Sequence, residues 1–435
     1  MEMPLWNEKY ERMSRAELEQ EQLERLQQTL GRVYRRVSYY HELFNRIGFD
    51  PLEVASLENL KKIPFTSKDT LHIAYPYDMF AVPLREVVRM QSTSGTTGQP
   101  LIVGYTKNDI EHWTELTARV LSAGGVTKDD IIQVSFPYGL FTGGLGFHYG
   151  AEKIGASVIP CSDTDIENQI TIMKDYRSTA LCCAPTFAAL LVEMIDERSV
   201  TPAELSLRRG LFGAEPWNET FRQELEEHLG ISVTDNYGLT EVMGPGVSYE
   251  CEEKNGLHIS EDHFIPEVID PETGELLPAG KKGELVITTI TKEAYPLIRY
   301  RTGDITSLIV EPCPCGRSSV RMSRVFGRID DMIILNGQNM FPALFEQILT
   351  EVIGKTPSYQ LVVHRKDNID QLDIQIEISQ DIFDDEIKTL NRIERGVVRE
   401  VKERLDFVPR VTLVEPRSIV RRMKQSRVID LRKQE

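Results

Sequence analysis

The chain has 435 residues, 41% of them hydrophobic, and a formal net charge of −17. That length accommodates a large core and more than one domain. The acidic balance argues against nucleic acid or an anionic membrane as the main partner, since both reward a basic face. No apolar run is long enough to span a bilayer. The first residues, Met1 to Lys9, lack the charged-then-apolar pattern of a secretory signal. The six cysteines, Cys161, Cys182, Cys183, Cys251, Cys313 and Cys315, therefore suggest metal or core roles and not a disulfide framework. The expectation is a cytoplasmic protein, with a homodimer left open.

Residues 14–46 read as helix. Ser14 and Glu17 have capping-box spacing, and Leu23, Leu26, Leu30, Val33 and Val37 keep a helical period. Pro51 and the stretch from Leu60 to Asp69 form a turn and a second helix start. Next come two strand-like segments, Val87–Met90 and Leu101–Tyr105. Between them Ser92, Thr93, Ser94, Gly95, Thr96, Thr97 and Gly98 pack five hydroxyls and two glycines into seven positions. Successive N–H groups in such a turn form an anion nest, and the hydroxyls add donors, so the segment suits a phosphate. It is not a Walker A loop, whose spacing and lysine are absent. Taken alone, the stretch also fits a solvated surface loop.

Residues 106–123 read as helix and 131–135 as a buried strand. The segment Phe136–Gly150 is rich in glycine and aromatic side chains, which suits either an apolar pocket wall or a tight helix-packing segment. From 151 to 214 strands and helices alternate, the pattern of a largely parallel sheet with crossover helices. Cys182 and Cys183 fall in one of these strands as core residues. Phe212–Trp217 and Asp235–Glu241 lie at strand ends, where open α/β sheets bind ligands.

Cys251 and His258 flank a turn at Asn255-Gly256, and Cys313 and Cys315 enclose a proline. Three thiolates and one imidazole fit a closed, structural zinc site. His263 is an alternative ligand, and reduced cysteines in a loop are the plain alternative. Residues 265–310 read as β hairpins containing Asp304, a carboxylate able to accept two hydroxyl hydrogen bonds from a ribose or to cap a turn. The mixed pattern of helix and strand from 330 onward gives a small α+β domain. Its tail places five basic residues between Arg417 and Arg427 in an otherwise acidic chain.

The loop at 92–98, the strings Asn236-Tyr-Gly-Leu-Thr-Glu241 and Tyr300-Arg-Thr-Gly-Asp304, and Lys424 three residues before Arg427 resemble the motifs of the adenylate-forming superfamily. Over nearly the whole chain the wording is similar to its phenylacetate–CoA ligase family. That resemblance implies a large N-terminal adenylation domain of parallel and mixed sheets with a β-rich subdomain, residues 1–329. A mobile α+β lid, 330–435, would turn about a hinge at Asp330.

The resemblance also implies ATP, Mg²⁺ and coenzyme A as cofactors and a small carboxylic acid as partner. It puts Gly213, Ala214, Glu215 and Pro216 on the adenine side, with Asp235, Asn236, Tyr237 and Gly238 lining the nucleotide and Tyr237 stacking on the purine. It puts Thr240 at the α-phosphate, Glu241 on Mg²⁺, Asp304 on the ribose diol and Arg328 on ribose or phosphate. Tyr138, Phe141 and Gly143 would line an aryl group, and Lys424 would be catalytic. Some relatives carry zinc at the cysteine cluster. Gln99 and Met423 depart from the lysine and glycine usual in the family. They keep open a non-catalytic nucleotide- or acyl-binding homologue, beside an adenylyltransferase of the coenzyme F390 synthetase type.

Overall fold

A computed structural model describes residues 5–93, 100–162, 165–335, 338–366, 369–378, 387–416, 418–419 and 427–434. It divides into two compact units. The first comprises residues 1–214 and 229–324, and the second 215–228 and 325–435. Among the described residues no helix is long and apolar enough to cross a membrane.

The first unit opens on helix Arg15–Arg36, with Ser14 and Glu17 exchanging both bonds of a capping box. The expected single helix to residue 46 is two. Val37 is extended, at φ −111° and ψ 110°, and a second helix, Ser38–Ile47, starts after it. A β-branched residue at the junction accepts that conformation readily.

Strands β1 (Arg89–Ser92) and β2 (Ile102–Tyr105) pair antiparallel, so the Ser/Thr/Gly loop is a hairpin connection. Thr106 caps helix Lys107–Ala123. A nine-stranded mixed sheet follows. Strands β3 (Ile131–Val134), β4 (Ser157–Pro160), β5 (Ala180–Cys183), β6 (Arg209–Gly213) and β7 (Ser232–Leu239) run parallel in the order β4-β3-β5-β6-β7. Helices Gly143–Ile154, Ile166–Asp175 and Pro185–Glu197 connect β3 to β4, β4 to β5 and β5 to β6.

Beyond β7 the sheet turns antiparallel. β8 (Gly244–Glu250), β9 (Leu257–Ile259), β14 (Arg321–Met322) and β13 (Leu308–Ile309) complete it. A separate meander of β10 (Phe264–Ile269), β11 (Gly283–Thr289) and β12 (Tyr300–Thr306) forms the β-rich part. Cys182 and Cys183 are fully buried, as expected of core cysteines.

The glycine-rich segment 136–150 is divided. Residues 136–142 form a loop, whereas Gly143–Ile154 is a helix. Its glycines let it lie against helix Lys107–Ala123: a Cβ on Gly146 would come within 2.7 Å of Trp113, and one on Gly150 within 2.7 Å of Thr117. Here the helix-packing alternative holds for the second half of the stretch.

The second unit includes helix Glu219–Leu229 apart from its last residue. It continues through β15 (Gly327–Arg328), the short helical turn Ile329–Asp331, and a hairpin of β16 (Ile333–Leu335) and β17 (Gln338–Met340). A four-stranded sheet is built from β18 (Tyr359–Lys366), β19 (Ile369–Glu377), β20 (Arg410–Val414) and β21 (Val428–Asp430), in the order β20-β19-β18-β21. Helices Pro342–Ile353 and Ile387–Leu405 cover it. Phe345, Leu349, Leu361, Val363, Ile374, Ile376, Val397 and Val401 form its core.

One buried ion pair ties helix Lys107–Ala123 to the chain after β9. Arg119 donates from Nη1 and Nη2 to the two oxygens of Asp262 at 2.8 and 2.9 Å, and both side chains are 3% exposed. Burial pushes the Asp262 carboxyl up, but His263 and Arg119 outweigh it and hold the group well below its usual range. Asp262→Asn strands the guanidinium and is expected to cost about 3–5 kcal/mol in urea unfolding at neutral pH. A depressed carboxyl contributes stability above its unfolded value of about 4 and loses it as pH falls through the folded value. The two unfolding curves should therefore converge in acid.

Candidate active site

Three segments of the first unit meet at the C-terminal ends of the parallel strands. Ser92 and Thr93 stand at the base of the hairpin loop. Ser92 N donates to Leu140 O at 3.0 Å, Thr93 N donates to Leu101 O at 3.1 Å, and Leu101 N donates back to Thr93 Oγ1 at 3.0 Å. Ser94, Gly95, Thr96, Thr97 and Gly98 lie outside the described residues, as does Gln99. The Leu140 contact attaches the hairpin to the aromatic loop. Two residues on, Thr142 Oγ1 lies 3.3 Å from Thr240 Oγ1. The hairpin base, the loop of Tyr138 and Phe141, and the turn of Thr240 and Glu241 therefore adjoin one another.

Tyr138 and Phe141 are half-buried, while Gly143 is buried at the start of its helix. Tyr138 Oη is 3.2 Å from His148 Nδ1, and the two rings meet edge to face. Phe141 lies beside Phe136, with centroids 6.4 Å apart. Such a wall is apolar on its faces with one polar tip, which suits an aromatic ligand.

The segment Asp235–Glu241 is strand through Leu239 and then a turn. Asp235 and Asn236 are buried. Asn236 Nδ2 donates to Phe212 O at 2.6 Å, which binds β7 to the end of β6. Gly213 sits there under Asn236, and a Cβ would come within 2.3 Å of the Asn236 carbonyl. Ala214 follows with φ 71°, a left-handed conformation that non-glycine residues seldom adopt and that tends to mark ligand sites. In the second unit, Glu215 is half-buried and Pro216 exposed. Tyr237 Oη donates to Asp304 Oδ2 at 2.6 Å. Asp304 lies within β12 and is 3% exposed, so it is a strand residue and not a turn cap. The expected purine and ribose residues are thus hydrogen-bonded to each other across two sheets. Glu241 is half-buried.

Arg328 and Asp330 belong to the second unit, where Arg328 Nη2 lies 3.6 Å from Asp330 Oδ2. Lys424 lies outside the described residues.

The cysteine cluster is assembled. Cys251 follows β8, His258 is the centre of β9, and Cys313 and Cys315 lie between β13 and β14. Their four ligand atoms all fall within 4.8 Å of one another, and all four residues are buried. Cys251 Sγ and Cys313 Sγ are 3.8 Å apart, and Cys315 Sγ is 3.3 Å from His258 Nε2. A tetrahedron with Zn–S distances of about 2.3 Å has S···S edges of about 3.8 Å. A bond from the Cys251 thiol, with His258 close by, holds the Cys315 thiol well below its usual range and pushes Cys251 up. A divalent ion would favour all three thiolates. His258 Nδ1 lies 3.2 Å from Ser319 Oγ, the outer contact that orients a metal-binding imidazole. His263 is instead engaged by Asp262 and Thr291, which decides between the two histidines.

Sequence reasoning passed over several residues. Thr142 carried no motif. Arg324 reaches Glu250 at 3.3 Å and Asp235 at 3.6 Å, and Glu250 accepts from Asp235 N at 2.9 Å. Lys292 is buried, with its ammonium 3.2 Å from the Tyr105 ring centroid and 3.7 Å from Met243 Sδ. Burial lowers its pKa to about 7, against the pull of Asp109. Tyr105 Oη donates to Met243 O at 2.8 Å, so Tyr105 and Lys292 together back the turn that carries Glu241.

Residues 46–291 match the family of AMP-binding enzymes, and residues 337–432 match the AMP-binding enzyme C-terminal domain. The phenylacetate-coenzyme A ligase of Thermus thermophilus is 44% identical, covering 99% of this chain and 100% of its own. The enzyme of that name from Escherichia coli is 42% identical, covering 96% and 95%. Among solved structures, 2-hydroxyisobutyryl-CoA ligase in the postadenylation state, in complex with R3-HIB-AMP, has a TM-score of 0.91 at 26% identity. It covers 99% of this chain and 93% of its own.

Proposed function

Because the chain belongs to the AMP-binding enzyme family, among its phenylacetate–CoA ligases, we propose an arylacetic or related aromatic acid as its substrate. The protein is an ATP-dependent ligase that adenylates a carboxylic acid and transfers the acyl group to coenzyme A. The observation supporting the aromatic reading is the junction of Ser92 with Leu140 and of Thr142 with Thr240, which brings the wall of Tyr138 and Phe141 up to the phosphate side.

In the first half-reaction a carboxylate oxygen bonds to the α-phosphorus of ATP, and the bond to the bridging oxygen breaks to release pyrophosphate. In the second, the CoA sulfur bonds to the acyl carbon and AMP departs. No protein nucleophile is required, so positioning and charge neutralisation carry the catalysis. Ser92 to Gly98 cradle the phosphates. Gly213, Ala214, Glu215 and Pro216 flank adenine, beside Asp235, Asn236 and Gly238. Tyr237 stacks on the base while its hydroxyl holds Asp304 toward the ribose. Thr240 donates to the α-phosphate, and Arg328 meets ribose or phosphate. Gly143 leaves room at the acid end. Lys424 neutralises charge as the carboxylate attacks. Glu241 is the carboxylate that would hold Mg²⁺, which supplies charge neutralisation between carboxylate and phosphate. Residues 330–435 act as a lid turning about Asp330, a hinge motion that separates the two half-reactions. Cys251, His258, Cys313 and Cys315 would hold a structural Zn²⁺, which would supply a link between the loop joining β13 to β14 and β9.

Pyrophosphate release measured across aryl and alkyl acids, with and without CoA, tests the substrate. Arylacetic acids should give the highest kcat/KM, with CoA converted to thioester. Preference for alkyl acids, or AMP left on an acceptor other than an acid, would contradict the reading. For the metal, elemental analysis of protein never exposed to chelator should find about one zinc per chain. Cys313→Ser with Cys315→Ser should abolish it and lower the melting temperature. Full-length protein with no zinc and an unchanged melting temperature in the variant would remove the site.

A further inference from the structure

Helix Gly143–Ile154 sets Gly146 and Gly150 against helix Lys107–Ala123. His148 and Glu152 stand about half a turn round from those glycines, on the other face. There His148 touches the aromatic loop. Its Nδ1 is 3.2 Å from Tyr138 Oη, and its Nε2 is 3.3 Å from Glu152 Oε1. The Tyr138 and His148 rings meet at 88°, with centroids 5.7 Å apart.

The helix is also tied to the hairpin. Arg89 Nη2 donates to Tyr149 Oη at 2.9 Å, and the guanidinium lies 4.9 Å from the Tyr149 ring centroid. Arg89 opens β1, the strand that runs up to Ser92 and Thr93. The loop of Tyr138 meets the same hairpin through Leu140. His148 and Tyr138 are thus carried by two segments that are both fastened to one strand pair, and all of these residues lie in the first compact unit.

The hydrogen bonds have a direction. A carboxylate oxygen only accepts, so Glu152 draws the imidazole hydrogen to Nε2 and leaves Nδ1 as an acceptor. Burial raises the Tyr138 hydroxyl above its ordinary pKa, so it keeps the proton that it donates to Nδ1. A tyrosine ring fixed by an edge contact and by a bond at its tip is a wall set before the ligand arrives. A flat aryl group gains from a ring held at one angle, whereas a flexible alkyl chain adapts to many.

We propose that His148 is a positioning residue for Tyr138 and, through it, a determinant of the preference for aromatic over alkyl acids. The proposal rests on the aromatic-acid reading above.

The test follows pyrophosphate release with phenylacetate and with hexanoate. His148→Phe keeps a ring beside Tyr138 but removes the acceptor. It should raise the KM for phenylacetate about fivefold, the scale of one lost aromatic contact. The KM values for hexanoate and for ATP, and kcat with phenylacetate, should stay within about twofold. His148→Leu is read in its place if the phenylalanine variant does not fold. Tyr138→Phe should raise the KM for phenylacetate alike, and the two changes together should raise it no further than either alone. His148→Asn, whose amide oxygen stands close to the place of Nδ1, should recover most of the loss. In a folded variant, an unchanged KM for phenylacetate, an equal loss for both acids, a loss that adds to that of Tyr138→Phe, or no recovery with asparagine would overturn the proposal. A wild-type enzyme that favours hexanoate would instead overturn the aromatic-acid reading.

Discussion

The turn from β7 into β8 rests on a backbone contact that only glycine permits. A Cβ at Gly238 would lie 1.9 Å from the carbonyl oxygen of Gly244. A bulge between Tyr237 and Gly238 shifts the register there, and Gly244 takes φ 118° with Trp113 packed against it. The sheet changes from parallel to antiparallel at this place. Because the two backbones touch, Tyr237, Thr240 and Glu241 occupy fixed positions relative to β8 and to helix Lys107–Ala123. Tyr237 can then reach Asp304 in the second sheet, and Thr240 can reach Thr142 in the aromatic loop. Residues expected at the nucleotide and at the acid, far apart in the chain, are located by one tight turn.

The residues behind this turn are also polar and buried. Tyr105 and Lys292 back Met243, and Asp109 accepts from the main chain of Glu293 and Ala294 at 2.6 and 2.9 Å. Such networks are costly when incomplete, so they rigidify what they support. This is consistent with catalysis that relies on positioning more than on a nucleophile. The cysteine cluster has a different place in the fold. Two of its members lie in the β13–β14 connection, whose Arg317 pairs with Glu11 at 2.6 Å and so reaches the N-terminal segment.

Features governed by neighbouring residues were legible in the sequence. The cap at Ser14, the alternation behind the parallel strands and the hairpin around the Ser/Thr/Gly loop follow from local spacing. The helix break at Val37 was not legible, because its apolar period continues unbroken through the junction. The stretch 136–150 was ambiguous, since glycines serve pockets and close helix contacts alike. Only the approach of Trp113 and Thr117 shows that Gly146 and Gly150 are packing residues. The choice of His258 over His263 depends on Asp262 and Thr291, partners fixed by the fold. Thr142 carries no motif at all, and its contact with Thr240 reaches across 98 residues.

The most direct test of the account follows the oxygen atoms. Phenylacetate carrying ¹⁸O in both carboxylate positions is converted with ATP and CoA, and the products are weighed by mass spectrometry. If the carboxylate attacks the α-phosphorus, one labelled oxygen leaves in AMP and the other stays in the thioester carbonyl. Label in inorganic phosphate with ADP formed, or AMP without label, would contradict the adenylate route on which every residue assignment here depends.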